Sequence, residues 1–462
     1  MLRSTPLALG VPLVTLLCPS PARGQAPIQA PTAPPAPVRT VSLSLAQALR
    51  TALDQSPRVQ QSLLAIAESG DERRSAAAAL MPTVAAEALG QRNKYNLEAQ
   101  MGMSVPGFPK EVGPYNWSRT GLEAQVSLFD LSLWKKWRAS QHGEDSARAQ
   151  GRAVREEVAA IVVGQYLRAL RAAASVQAGE SRVELAEALA KLAENQQKQG
   201  VGTKLDTLRS QVQLQTERQR LIQAQTQRAT ALAGLGRALS LEPGTRIELT
   251  DALATPALPA TGFQESFAAS LAQRPELAAL EAREKAAANM QEAAQALRLP
   301  TLVASGFYGS AGLESHPSTR TYQVTVGLRV PLFTGGLVSA QVSRAKSEQS
   351  RVQEARREVR SQVGFEIQVA QAELDAAAHE VEVANLAVAL STEALSQARH
   401  RFEAGVSNNI EVINAQDELA KANDSQISAL YRLNQSRADL ARATGRLENM
   451  YLPQDHPAAS AR

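Results

Sequence analysis

The chain has 462 residues, room for two or three ordinary domains, yet aromatics make up only 4% of it while hydrophobic residues, much of them Ala and Leu, reach 44%. That balance excludes a string of compact aromatic-rich cores and favours long helices packed through small side chains. The 49 basic and 45 acidic residues, net +4, are interspersed along helical stretches; this is the pattern of a solvated face and argues against nucleic acid as a partner.

Residues 1–24 are laid out as a secretory signal peptide: Arg3, an apolar stretch from Leu7 to Leu17, then small residues at Ala22, Gly24 and Ala26. Cleavage after Gly24 leaves Gln25 first, with cleavage after Ala22 or Ala26 as the alternatives. Cys18 is the single cysteine, and the bulky Leu16 and Leu17 before it argue against lipidation, which leaves the mature chain without thiol chemistry. The implied compartment is the bacterial envelope. Residues 25–40, rich in Pro and Ala, read as a flexible leader.

From Val41 the chain reads as one unit written twice, over 41–250 and 261–447, separated by a linker at 251–260 and followed by a flexible tail at 448–462. A period of about 210 residues is far longer than that of a stacked solenoid and points to internal duplication. Each copy starts from a capping box, Ser44 with Gln47 and Thr261 with Gln264. Pro57 and Pro82 bracket a helical segment in the first copy; Pro275 and Pro300 do so in the second. A β-hairpin is expected next, at 83–129 and at 301–333.

Neither 115–242 nor 332–452 contains a proline, as two long helices each demand. Glycine turns interrupt both spans, Gly200 and Gly202 around Val201, and Gly405 with Ser407 around Val406, so each span divides into a long and a medium helix. Helices over 134–199 and 337–403 would each run about 100 Å. Coiled-coil spacing supports them: Val363, Ile367, Ala370, Leu374, Ala377, Val381 and Ala384 step by four and three, and so do Leu419, Ala422, Gln426, Ala429, Leu433, Ser436 and Leu440.

An ordinary rod-like coiled coil would explain those seams equally well, so the β segments decide. Leu122, Ala124, Val126 and Leu128 alternate with Glu123, Gln125 and Ser127; Val324, Val326, Leu328 and Val330 alternate with Gln323, Thr325, Gly327 and Arg329. One face suits lipid and the other water, with Glu123, Gln125, Gln323, Thr325 and Arg329 on a barrel lumen. Four strands are too few to close a barrel, and open edges are intolerable in lipid, so oligomerisation is required; three chains would give twelve strands. Aromatics near the strand ends, among them Trp134, Phe307, Tyr308, Tyr322 and Phe333, are candidates for interfacial belts.

The opening 43–49 (LSLAQAL), the Ser56-Pro57 and Met81-Pro82 pairs, 330–336 (VPLFTGG), and above all 401–405 (RFEAG) with 410–419 (IEVINAQDEL) resemble the TolC-like outer membrane efflux family. The resemblance spans nearly everything from Leu43 to Leu447. It implies an α+β membrane protein: a homotrimer with long α-helical coiled-coil hairpins forming a periplasmic tunnel beneath a twelve-stranded outer-membrane β-barrel, each chain contributing four strands. It implies partners too, a periplasmic adaptor and an inner-membrane pump of the RND, ABC or MFS type, for drug efflux or type I secretion. It further implies a pore constriction at the periplasmic tip, carried here by Asp206, Glu411 and Asn414, with Gly200, Gly202, Gly405 and Ser407 in the turns that meet the adaptor. Phe402, Asn414 and Ser407 depart from the family's commoner Tyr, carboxylate and basic residue, which points to a different lock at the tip.

The five histidines are scattered without metal-ligand spacing, no cofactor motif is present, and neither a Gly-x-Ser-x-Gly elbow nor a Gly-Lys-Ser/Thr phosphate loop occurs. No catalytic residue is expected. The alternative class is a periplasmic helical adaptor or coiled-coil scaffold, which would show one hairpin inserted into compact β domains.

Overall fold

The computed structural model describes residues 40–103, 106–107, 109–256, 262–313 and 317–452. The expected signal peptide, Cys18, residues 25–39 of the Pro/Ala-rich leader and Thr261 lie outside them, while Thr40, read as the leader's last residue, opens a strand. The first half runs β1 (Thr40–Leu43), α1 (Leu45–Gln55), α2 (Pro57–Ala78), β2 (Thr83–Asn96), α3 (Leu97–Met101), β3 (Glu111–Phe129), α4 (Leu131–Lys198), α5 (Lys204–Ala238) and β4 (Arg246–Leu249). The second runs α6 (Phe263–Gln273), α7 (Pro275–Ala296), β5 (Thr301–Leu313), β6 (Thr319–Arg329), α8 (Leu337–Glu403), α9 (Asn409–Ala443) and α10 (Leu447–Tyr451).

Local chemistry sets these boundaries. Ser44 closes the expected capping box, its hydroxyl accepting from the Gln47 amide while Gln47 Oε1 accepts from the Ser44 amide at 3.0 Å. The second half instead begins from Gly262, with no side-chain cap. Pro57 and Pro275 each occupy the first turn of their helix, where the missing N–H has no cost, and the residues before them, Ser56 and Arg274, are extended. Asp130 caps α4, its carboxylate accepting from the Ser132 and Leu133 amides at 2.8 and 3.2 Å.

The helices α4 and α8 have 68 and 67 residues, about 100 Å each by the α-helical rise. On α4, α2 lies against the first half, where Arg58 meets Glu157 at 2.9 Å and Arg73 meets Glu144 at 2.6 Å; α5 lies against the second, where Arg218 meets Glu187 at 2.6 Å. The same arrangement recurs on α8, with α7 and then α9 alongside: Arg356 pairs with Glu284 at 3.0 Å and Arg432 with Glu380 at 2.8 Å. Helix α7 also bridges to α4, where the buried Ser146 hydroxyl donates to the Ala279 carbonyl at 3.0 Å. The seam read from spacing is buried as a row, from Val363 through Ala384 on α8 and including Ala429, Leu433 and Leu440 on α9.

Three features were not anticipated. β1 and β4 pair in parallel, tying the segment before α1 to the segment after α5. Tyr166, fully buried midway along α4, fastens that pair: its hydroxyl lies 3.0 Å from the Leu43 carbonyl and 2.9 Å from Asp251 Oδ2, which also accepts from the Leu45 amide at 2.7 Å. Burial and the adjacent Asp251 carboxylate raise the Tyr166 phenol above its ordinary value, which keeps it a donor. Finally, residues read as a flexible tail begin with a helix, α10, held by an Arg155–Glu448 ion pair.

Candidate functional site

Two places carry the functional residues. The first is the antiparallel sheet β2-β3-β5-β6. Its connections to α2, α4, α7 and α8 all leave from one end, and the β2–β3 connection, which carries the short α3, and the β5–β6 connection lie at the other. Register fixes the faces. Leu122 sits opposite Ala86 and Tyr308, Tyr308 opposite Tyr322, Ala304 opposite Val126 and Val326, and Leu302 opposite Leu328. Those residues form one continuous apolar face, and its large side chains are uncovered, Val326 at 61% and Leu328 at 68%.

Glu123, Gln125, Gln323, Thr325 and Arg329 all fall on the opposite face: Glu123 faces Phe307, which faces Gln323, and Gln125 faces Ser305, which faces Thr325. An apolar face of this size left open to water is not a feature of an isolated soluble sheet. No described helix is long and apolar enough to cross a membrane. The edges β2 and β6 each have one neighbour only.

Phe307 departs from the expected belt role. It is 7% exposed and sits on the polar face, its ring across Gly121 and Gly309 with the Arg119 guanidinium stacked 3.6 Å above it. A Cβ at Gly121 would come 2.5 Å from the Tyr308 carbonyl oxygen and 2.7 Å from the Phe307 ring, so the ring's position requires glycine there. Tyr308, Tyr322, Trp134 and Phe333 are exposed.

The second place is the turn pair at the far ends of α4 and α8. Gly200 and Gly405 take left-handed backbone, φ 78° and 72°, and the two turns close alike, with the Val201 amide donating to the Gln196 carbonyl and the Val406 amide to the Arg401 carbonyl, both at 3.0 Å. Gly202 is tight, since an added Cβ would lie 2.9 Å from Gln196 Cβ; Ser407 occupies the matching place, its amide 3.3 Å from the Arg401 carbonyl. The turns hold Val201 and Val406 out in solvent, 76% and 73% exposed. The signal for them was present in the sequence, as an apolar residue set between turn residues.

Asp206 and Glu411 are each the third residue of their helix. The Asp206 amide donates to the Thr203 hydroxyl at 3.2 Å and the Glu411 amide to Asn408 Oδ1 at 3.4 Å, so both sit where the helix dipole favours a carboxylate. Glu411 also pairs with Arg401 at 3.5 Å, and Asn414, one turn on, is exposed. Phe402 is buried with Val412 and Leu189. A buried link between α5 and α9 at the tip was not singled out from sequence: Asn409, 1% exposed, donates from Nδ2 to Ser210 Oγ at 2.5 Å and to the Asp206 carbonyl at 3.0 Å. Farther from the tip the contact between α5 and α9 stays polar, with Asp417 3.3 Å from Gln213 and 3.5 Å from Arg220. Among the described residues no group of His, Cys, Asp and Glu is placed to hold a metal ion.

Comparison with known proteins agrees with this geometry. The sequence model of the outer membrane efflux protein family matches residues 48–240 and 268–446. Protein CyaE of Bordetella pertussis is 28% identical over 432 residues, covering 92% of this chain and 88% of the relative. The pyoverdine export outer membrane protein OpmQ of Pseudomonas putida is 26% identical over 436 residues, covering 88% and 90%. Among solved structures, the outer membrane protein VceC of Vibrio cholerae superposes with a TM-score of 0.74 at 18% identity over 87% of this chain and 96% of that one, a likeness of fold.

Proposed function

The chain belongs to the outer membrane efflux protein family, and from that premise we propose that three copies close their sheets into one twelve-stranded barrel above a helical tunnel. It is an outer-membrane duct for export, with its helices in the periplasm. The observation that carries the barrel reading is the two-faced sheet: an uncovered apolar face, a polar face behind it, and two unpaired edges that lipid forbids. The repeated order of elements, with α2 and α7 of 22 residues each and α5 and α9 of 35 each, supports an internal duplication.

In this reading Glu123, Gln125, Gln323, Thr325 and Arg329 face the barrel lumen. The tip is narrowed by Asp206, Glu411 and Asn414, and three Glu411 carboxylates drawn together favour cations. Gly200, Gly202, Gly405 and Ser407 shape the turns that present Val201 and Val406 to a periplasmic adaptor, and the energy comes from an inner-membrane pump. The protein itself performs no chemistry. Relatives such as OpmQ are named for pyoverdine export; this chain is proposed as the passive outer segment of such a tripartite system.

Closure is tested by pairing Val324→Cys on β6 with cysteines scanned along β2 and oxidising in membranes. The expected result is a ladder of covalent dimers and trimers at one register. Monomers at every position would refute edge-to-edge closure.

A further inference from the structure

The apolar face of the sheet is not apolar along its whole length. Moving from the helix end toward the hairpin turns, β6 presents Leu328, Val326, Val324 and Tyr322 on that face and then Arg320; β2 presents Val84, Ala86, Ala88 and Gly90 and then Arg92. Both arginines are exposed. Neither has a carboxylate partner among the described residues, and on the polar face Arg329 has none either, whereas Lys94 pairs with Glu111 at 2.6 Å, Arg119 approaches Glu87 at 3.6 Å, and Lys110 approaches Glu98 at 3.7 Å.

Their height fits a membrane boundary. Val326 lies midway in sequence between Arg320 and Leu332, one of the exposed apolar residues below the sheet with Val330 and Phe333. The step from Val326 to Arg320 covers about 20 Å along a strand, or about 15 Å along the membrane normal at a tilt of about 40°, half of an apolar band about 25 to 30 Å tall. Because the helices lie in the periplasm, the turn end is the outer end. Arg320 therefore emerges from lipid at the outer leaflet's headgroup level, on the side that faces lipid, and Arg92 stands where the apolar run of the other edge strand ends.

We propose that Arg92 and Arg320 bind the phosphates of a phosphorylated glycolipid headgroup in the outer leaflet, a site that rests on the outer-membrane reading above. An unpaired guanidinium at the edge of an apolar face calls for an anion, and its planar fork matches phosphate oxygens two at a time. The two arginines stand on the two edge strands, so closure of the barrel brings Arg92 of one copy and Arg320 of the next to the same seam. The lipid would then bridge neighbouring copies.

The test is native mass spectrometry of the detergent-purified protein incubated with bis-phosphorylated lipid A, with its dephosphorylated form and with inorganic phosphate as competitor. Retention of the phosphorylated lipid should fall about fivefold or more in the Arg92→Gln/Arg320→Gln double variant, as loss of charge-assisted bonds requires, and should be unchanged in Arg360→Gln, an exposed site on α8. Equal retention by the double variant, or equal binding of the dephosphorylated lipid, overturns the proposal. Displacement by millimolar inorganic phosphate would make this a free-phosphate site and overturn the lipid assignment. Fractionation separates the two levels of failure: a protein absent from the outer membrane refutes the duct, while one present there with unchanged lipid retention refutes only the arginine pair.

Discussion

Val326 and Thr325 are neighbours in sequence on opposite faces of β6, and both are exposed in the single chain. If the sheet stood in water, replacing either with arginine would change stability by no more than about 0.5 kcal/mol. In lipid the two positions diverge. In the proposed barrel Val326 lies near the middle of the apolar band, where an arginine costs about 2–4 kcal/mol per chain, while Thr325 turns to a wet lumen and stays near zero. In the proposed trimer, three chains multiply the difference to about 6–12 kcal/mol, comparable with the whole stability of a typical domain. Val326→Arg should therefore strip the outer membrane of assembled protein, read as the heat-modifiable oligomer on unheated gels, while Thr325→Arg assembles normally. Equal behaviour of the two, or a worse outcome for Thr325→Arg, would refute the assignment of faces.

Gly121→Ala should lower the yield of folded barrel at a cost of about 1–3 kcal/mol, because its methyl meets the Tyr308 carbonyl and the Phe307 ring, while Gly90→Ala, with nothing within 4 Å, should be silent; outer-membrane abundance compares them. Asn409→Ala removes the amide that joins Ser210 and the Asp206 carbonyl at a cost of about 1–2 kcal/mol, so amide hydrogen exchange should quicken in the first turns of α5 and α9 but not in Asn414→Ala. Burial alone would raise the Glu144 carboxyl, but hydrogen bonds and charge from Arg73 and Arg148 outweigh it and hold it below its ordinary value. The stabilisation is thus present above the unfolded-state value and disappears as pH falls through the folded one. Glu144→Gln should therefore lower unfolding stability in urea at pH 7 by about 1–2 kcal/mol, and the gap should shrink as pH falls below the ordinary carboxylate range; a gap that persisted in acid would contradict the ion-pair origin.

What was legible in the sequence is what periodicity and punctuation encode. Proline-free spans and glycine turns placed both long helices within a few residues, and α8 begins at Leu337 and ends at Glu403 as the sequence reading had it. Strict alternation gave both faces of the sheet. Less legible were contacts that depend on distant chain segments meeting. β1 and β4 have four residues each, too short for a periodic signal, and their pairing depends on Tyr166 more than a hundred residues from Leu43. Phe307 reads as one more strand aromatic until register sets it over Gly121 and Gly309. Asn409 looks like a helix-start residue, and only the approach of α5 to α9 makes it the tip's buried link.

The most direct test of the duct is planar-bilayer conductance of the purified protein, with wild type and Glu411→Ala compared across pH and divalent-cation concentration. The expected result is insertion of oligomers that conduct, with the substitution weakening cation selectivity or divalent block. Oligomers that conduct but ignore the change would remove only Glu411 from the constriction; a protein that neither oligomerises nor inserts would contradict the duct itself.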